Sequence, residues 1–253
     1  MGRMSRRKLA LAALGCLVFI PISLAGQSGA RPDFTGVWTT YADPAAAPRA
    51  GGPGRGGGPP LPMTEDAQKK VAAYRALIGA SGDTPGGFCL GTGMPGSMLG
   101  SGGYPMEIVQ RPEQINITYE AHNEVRRVYL GDRVVPMADR VPGRNGNSSA
   151  HWEGDTLVVE TTHLIEQVDQ RYAHSNQAKI VERYSLSTDS RGTKVLTAEM
   201  TLTDPAFYTK PVTETKKWAY VPNGHLLPYE CAEEGWNLHL EALEKKAAQG
   251  AKK

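Results

Sequence analysis

Cysteine is scarce in this chain, formal net charge is close to zero, and the histidines lack any spacing that binds a metal. The six histidines, at positions 122, 151, 163, 174, 225 and 239, form no H-x-H or H-E-x-x-H pattern, so no local metal site is expected. There is no P-loop and no dinucleotide fingerprint, because the glycine-rich segments do not sit between a strand and a helix. A G-x-S-x-G elbow is also absent. These absences argue against nucleotide-dependent chemistry and the α/β-hydrolase mechanism, and no cofactor is expected. No internal repeat at a fixed period is present.

The one long apolar run lies at the N-terminus. Arg3, Arg6, Arg7 and Lys8 precede an apolar segment from Leu9 to Leu24, and Ser23-Leu24-Ala25 supplies small residues at a cleavage position. Residues 1–25 therefore read as a signal peptide cleaved near Ala25, its run too short and too interrupted by Gly15 and Pro21 for a spanning helix. The protein is expected to be periplasmic or secreted, with no membrane span after cleavage. Ser5-Arg6-Arg7-Lys8-Leu9 also resembles a twin-arginine signal. Removing residues 1–25 takes four basic and no acidic residues from totals of 28 and 26, leaving 24 against 26. That balance gives no electrostatic reason to expect a nucleic-acid partner.

Cys16 falls in the signal, leaving Cys89 and Cys231. In an oxidising compartment such a pair is most simply a disulfide. The competing readings are two buried thiols or a metal site, although neither cysteine has a Cys or His at zinc-ligand spacing.

The stretch HWEGDTLVVETTHL, residues 151–164, reads as a β-hairpin: Trp152 ends one strand, Glu153-Gly154-Asp155 turns, and Thr156 to His163 forms the next. Further strands are expected at 33–40, 104–110, 114–121, 124–130, 133–137, 148–153, 178–187, 193–203 and 213–221. Ile115, Ile117 and Tyr119 mark one inward face, and Leu196, Ala198, Met200 and Leu202 another. The expected fold is mainly β, an antiparallel meander closing into a barrel or sandwich, with no helix of crossover length to support a parallel sheet.

A helix is expected from an N-cap at Thr64, with Ala67, Val71, Tyr74 and Ile78 on one face and Gly79 as its stop. The tail 237–253 is helical in composition and expected to fray. Residues 26–62 hold the first strand and a Pro/Gly-rich excursion expected to be disordered, and 63–236 the β-rich domain. The glycine-rich loop 80–103 is too long for a simple connection and, if tied to Cys231, would lie across a barrel mouth.

Several residues exceed what a fold requires. In KIVERYSL, Ile180, Tyr184 and Leu186 define an apolar face by alternation, and Glu182 falls on it. A carboxylate facing a barrel interior must be paired, hydrogen-bonded or protonated. It is therefore either an acid-base group or the partner of a buried cation such as Arg126, which shares a face with Val128 and Leu130. His163 is placed at the end of the inward face of Leu157, Val159 and Thr161, and His174 on the loop leading to the Glu182 strand.

Gly36-Val37-Trp38 resembles the G-x-W element that opens lipocalin-type (calycin) barrels. CLGTGMP at 89–95, YPMEIVQ at 104–110, WEGDTLVVET at 152–161, VERY at 181–184 and DPAFYTKP at 204–211 together resemble a widespread family of exported bacterial proteins with no assigned activity. That resemblance implies a β-rich periplasmic domain with Cys89 paired to Cys231, and it carries no catalytic residue across. The chain departs from the family at Thr162-His163-Leu164, where Gly-Phe-Asn is usual, and at Val212, where Trp is usual.

Two functional expectations follow. The first is a barrel that binds a small apolar or aromatic molecule, with Tyr104, Tyr119, Tyr184 and Arg126 as ligand contacts. The alternative is a cofactor-independent hydrolase, lyase or isomerase using Glu182 with His174 or His163 as acid and base.

Overall fold

The computed structural model describes residues 31–43, 60–79, 84–100 and 103–231, and scattered positions from 235 to 249. The expected signal peptide and most of the Pro/Gly-rich excursion lie outside the described residues. Within the tail, positions 237, 238, 240–242, 245 and 249 are helical.

Nine strands close a barrel in sequence order: β1 (Gly36–Thr40), β2 (Met106–Gln110), β3 (Gln114–Tyr119), β4 (Glu124–Leu130), β5 (Asn147–Glu153), β6 (Thr156–Thr162), β7 (Lys179–Thr188), β8 (Lys194–Thr203) and β9 (Val212–Val221). β1 lies between β2 and β9, so the first strand closes the ring. A ring in which every neighbour is antiparallel needs an even number of strands. Nine strands therefore force an exception, which is the parallel pairing of β4 with β5 through Val128, Tyr129 and Leu130 against Ser148, Ser149 and Ala150. The other eight pairings are antiparallel.

This exception corrects one expected element. Residues 133–137 do not form a strand; the chain makes 3₁₀ turns at Gly131–Arg133 and Met137–Asp139 and runs on to Gly146 before β5 begins. A parallel neighbour requires a connection of a dozen residues or more to return the chain to the starting end, and Pro136 removes a ladder donor from the only β-branched run available.

The register defines two ends. The lower rim is where β3 ends at Tyr119 and β4 begins at Glu124. It also holds the segments 163–178 and 204–211. The upper rim holds the short turns 111–113, 154–155 and 189–193. One of these is the expected hairpin turn: Glu153 pairs with Thr156, and Gly154 takes a φ of 57° that its lack of a Cβ permits.

Alternation places Ile115, Ile117 and Tyr119 of β3, Ile180, Glu182 and Tyr184 of β7, and Leu196, Ala198, Met200 and Leu202 of β8 in the interior. The core also holds Trp38 and Trp218, both fully buried. Trp38 Nε1 donates to the Phe34 carbonyl at 2.8 Å. In the G-x-W element Gly36 has a φ of 132°, and a Cβ there would sit 2.5 Å from the Tyr220 ring. The position therefore excludes any side chain.

Helix α1 (Glu65–Gly79) starts as expected, with the Thr64 hydroxyl accepting from the Ala67 N–H at 3.2 Å and Ala67 and Val71 buried. The Thr64 N–H donates to Phe207 O at 2.9 Å, which ties the helix start to the segment 204–211 at the lower rim. Among the described residues no helix is long and apolar enough to cross a membrane.

Candidate functional site

At mid-barrel lies a buried polar cluster. The Glu182 side chain is 0% exposed and that of Arg126 is 1% exposed. Arg126 Nη1 donates to Glu182 Oε1 at 2.9 Å, Nη2 donates to Glu182 Oε2 and to Thr161 Oγ1 at 2.8 Å, and Nε donates to Ser148 Oγ at 3.1 Å. Tyr184 adds its hydroxyl to Glu182 Oε1 at 2.9 Å. The carboxylate thus accepts three hydrogen bonds from two residues. Burial opposes the Arg126 charge, but Glu182 beside it outweighs that cost and holds the guanidinium above its ordinary pKa. Burial pushes the Tyr184 hydroxyl upward as well, and the Glu182 charge adds to the effect.

The cluster is an ion pair with its hydrogen bonds filled, joining β4, β5, β6 and β7. Among the described residues no hydrogen bond links it to a histidine. His174 is fully buried, with Nδ1 3.1 Å from Ser175 O and Nε2 3.1 Å from Met94 O. Burial lowers its pKa below the ordinary 6.5, and the two carbonyls oppose the shift only in part. His163 leaves the inward face assigned to it. β6 ends at Thr162, and His163 takes a φ of 57°, with its Nδ1 2.9 Å from the Thr162 hydroxyl. Alternation cannot continue through a left-handed residue, so the side chain is only half-buried outside the strand.

Beyond this pair, at the lower rim, the chain builds a pocket. Loop 84–100 reaches over the rim and buries Met94 and Met98 in the core, with Met98 Sδ 3.4 Å from the Tyr184 hydroxyl. The loop is fixed from several sides. The Met94 N–H donates to Arg144 O at 2.9 Å, Arg144 Nε donates to Gly91 O at 2.8 Å, and Gln167 Nε2 donates to Thr92 O at 2.8 Å. Gly93 has a φ of 74°, and a Cβ on it would lie 2.6 Å from Arg144 O, which restricts the position to glycine. Glu124 completes the anchorage, accepting from the Gly93 N–H at 3.0 Å and from the Ser97 hydroxyl.

A disulfide between Cys89 and Cys231 fastens the same loop to the segment that follows β9. There Tyr229 packs against His122 with the rings tilted and their centres 4.8 Å apart, and it meets Tyr104 edge-on at 5.8 Å. The Leu227 N–H donates to Glu120 Oε2 at 2.7 Å and Asn123 Nδ2 to Tyr229 O at 3.2 Å, which hold this segment along the β3–β4 turn.

The pocket is half-open, about 160 Å³ in volume, and lined by Thr92, Ser97, Tyr104, Tyr119, His122 and Glu124 among others. Tyr119 Oη and His122 Nδ1 are buried and, among the described residues, have no hydrogen-bond partner. Burial drives the Tyr119 hydroxyl well above its ordinary pKa, with Arg126 pulling the other way and Glu182 and Glu124 adding to the rise. Tyr119 therefore stands between the pocket and the ion pair. A wider cleft of about 380 Å³ opens at the upper rim beside Arg31, Arg111 and Trp152.

Of the ligand contacts expected from the sequence, Tyr104 and Tyr119 meet in the pocket, whereas Arg126 and Tyr184 belong to the buried pair. Ser97, His122 and Glu124 were not foreseen. Glu124 had a signal, because it lies two residues before Arg126 on the inward face of β4. His122 had only its place in a short turn, where its φ of 62° is of the kind that histidine and asparagine adopt more readily than most residues. Among the described residues no group of three His, Cys, Asp or Glu side chains is arranged to hold a metal ion. Comparison with protein-family models and with curated proteins returns no match for the chain.

Proposed function

We propose that the protein is an exported binding protein for a small, ring-sized aromatic molecule, held in the lower-rim pocket. One observation carries the reading: Tyr104, Tyr119, His122 and Glu124 line one half-open cavity of about 160 Å³, so that aromatic residues and a carboxylate converge on a ring-sized space.

Size supports the same reading. An apolar cavity of about 150 Å³ accepts benzene, so about 160 Å³ suits a single ring with a small substituent. The interior holds large buried side chains, Trp38, Trp218 and Arg126 among them, and the ring-sized space that this reading uses is the one at the lower rim.

Export is supported by the basic and apolar N-terminal pattern and by the disulfide, which persists in oxidising compartments. Cell fractionation with the intact mass of the mature chain tests it. A chain retaining residues 1–25 in the cytoplasm would overturn the export reading.

The binding test is ligand-observed NMR with a panel of single-ring compounds against the oxidised protein and a Tyr104→Ala variant. Saturable binding that the variant weakens is expected. Binding unchanged in the variant, or no binding across the panel, would refute the pocket assignment.

A further inference from the structure

We infer that the pocket selects a cation, and that its ligand class is a small amine or ammonium compound with an aromatic or apolar body; this rests on the pocket being the binding site. Among the described residues the lining contains one carboxylate, Glu124, and neither lysine nor arginine. Among the described residues Glu124 has no ion-pair partner; its oxygens accept only from neutral donors, the Gly93 N–H and the Ser97 hydroxyl. An ionised carboxylate has about four lone-pair sites, so acceptor capacity remains beyond these two bonds.

The nearest fixed positive charge on the same inward face, Arg126, is matched by Glu182. Among the described residues Glu120, in the turn beside the pocket, also has no ion-pair partner, and it accepts from the Leu227 N–H. The site therefore carries uncompensated negative charge in a partly water-excluded space, where charge interactions are stronger than in water.

The walls suit the same ligand. Tyr104 and Tyr119 present aromatic surface to the cavity, and Tyr229 backs His122. Aromatic faces attract cations, and combining them with a carboxylate is a recurring way to hold an ammonium group. An ammonium group has donors and no acceptor. It pairs with the remaining acceptor capacity of Glu124. An anionic ligand would instead face the Glu124 carboxylate with no lysine or arginine among the described lining residues to offset it.

The test uses three probes of one shape, benzylammonium, benzyl alcohol and benzoate, titrated calorimetrically into the oxidised full mature chain at neutral pH. Benzylammonium is expected to bind at least about tenfold more tightly than benzyl alcohol, and benzoate not to bind. Glu124→Gln should remove the preference. Because Glu124 also anchors the loop, wild-type protein provides a second measurement: high salt should weaken benzylammonium and leave benzyl alcohol unchanged. Equal binding of benzylammonium and benzyl alcohol, or tighter binding of the alcohol, would overturn the cation inference while leaving the pocket assignment intact. Failure of all three probes would overturn both.

Discussion

Cutting the Arg126–Glu182 pair on one side only is expected to be among the most damaging single changes available in the barrel. In Glu182→Gln the guanidinium stays inside with no countercharge, still hydrogen-bonded to Ser148 and Thr161. Removing one partner of a buried pair costs about 3–5 kcal/mol, whereas exchanging both for apolar groups of similar volume is often neutral or stabilising. The double variant Arg126→Met/Glu182→Leu has favourable geometry for such recovery. The Ser148 and Thr161 hydroxyls already lie 2.9 Å apart and can satisfy each other, and Met98 Sδ remains beside the Tyr184 hydroxyl.

The assay is equilibrium urea unfolding with the disulfide intact, followed by the fluorescence of the buried Trp38 and Trp218. With a urea slope of about 2 kcal/mol/M, the single variant should unfold at a midpoint lower by about 2 M. The double variant should regain most of that loss, giving a large coupling energy in the cycle. A single variant within about 1 kcal/mol of wild type, or a double variant as unstable as the sum of the singles, would refute the account. Loss of a catalytic activity in a Glu182→Gln protein of unchanged stability would instead favour the acid-base alternative.

Two further outcomes are expected. Cys89 and Cys231 are 142 residues apart in sequence, for which the chain-entropy model allows up to about 5 kcal/mol. Replacing both with serine should lower the thermal midpoint and raise hydrogen exchange in loop 84–100; unchanged exchange there would mean that Glu124 and Arg144 hold the loop unaided. His174 should make stability fall with acidification. Its folded pKa lies below the ordinary 6.5, so above that pH it contributes no pH dependence. As pH drops from there toward the depressed folded value, the unfolded chain takes up a proton that the folded chain refuses. Comparing pH profiles of urea midpoints for wild type and His174→Gln checks this, and an unaltered acid slope in the variant would exclude His174 as its source.

Much of the barrel was legible because a period of two reports which face is buried. It placed Ile115, Ile117 and Tyr119 together, and it singled out Glu182 with Arg126 as a partner. The same period says nothing about strand direction. The parallel step from β4 to β5 was therefore hidden, and the β-branched Val134 and Val135 suggested a strand where a return connection was needed. Nor does alternation say where a strand stops, which is why His163 was carried one residue too far along β6. The pocket was harder still to see, since Ser97 and Glu124 meet only after loop 84–100 has crossed the rim. Glu124 shared the inward face of β4 with Arg126, but that signal could not show its partners Gly93 and Ser97, which come from a loop distant in sequence.

The parallel step also decides how the molecule divides its labour between two ends. By bringing the chain back to the lower rim before β5, the connection 131–146 sets the phase of every hairpin after it. The tight turns at 154–155 and 189–193 consequently fall at one end, and the long segments 163–178 and 204–211 at the other, beside loop 84–100 and α1. Had β5 run antiparallel to β4, the segment 163–178 would have emerged at the opposite rim, away from Thr92 and Met94, which it now holds through Gln167 and His174. The odd strand thus gives the barrel polarity, with its strands joined by short turns at one end and by enough chain to build a pocket at the other.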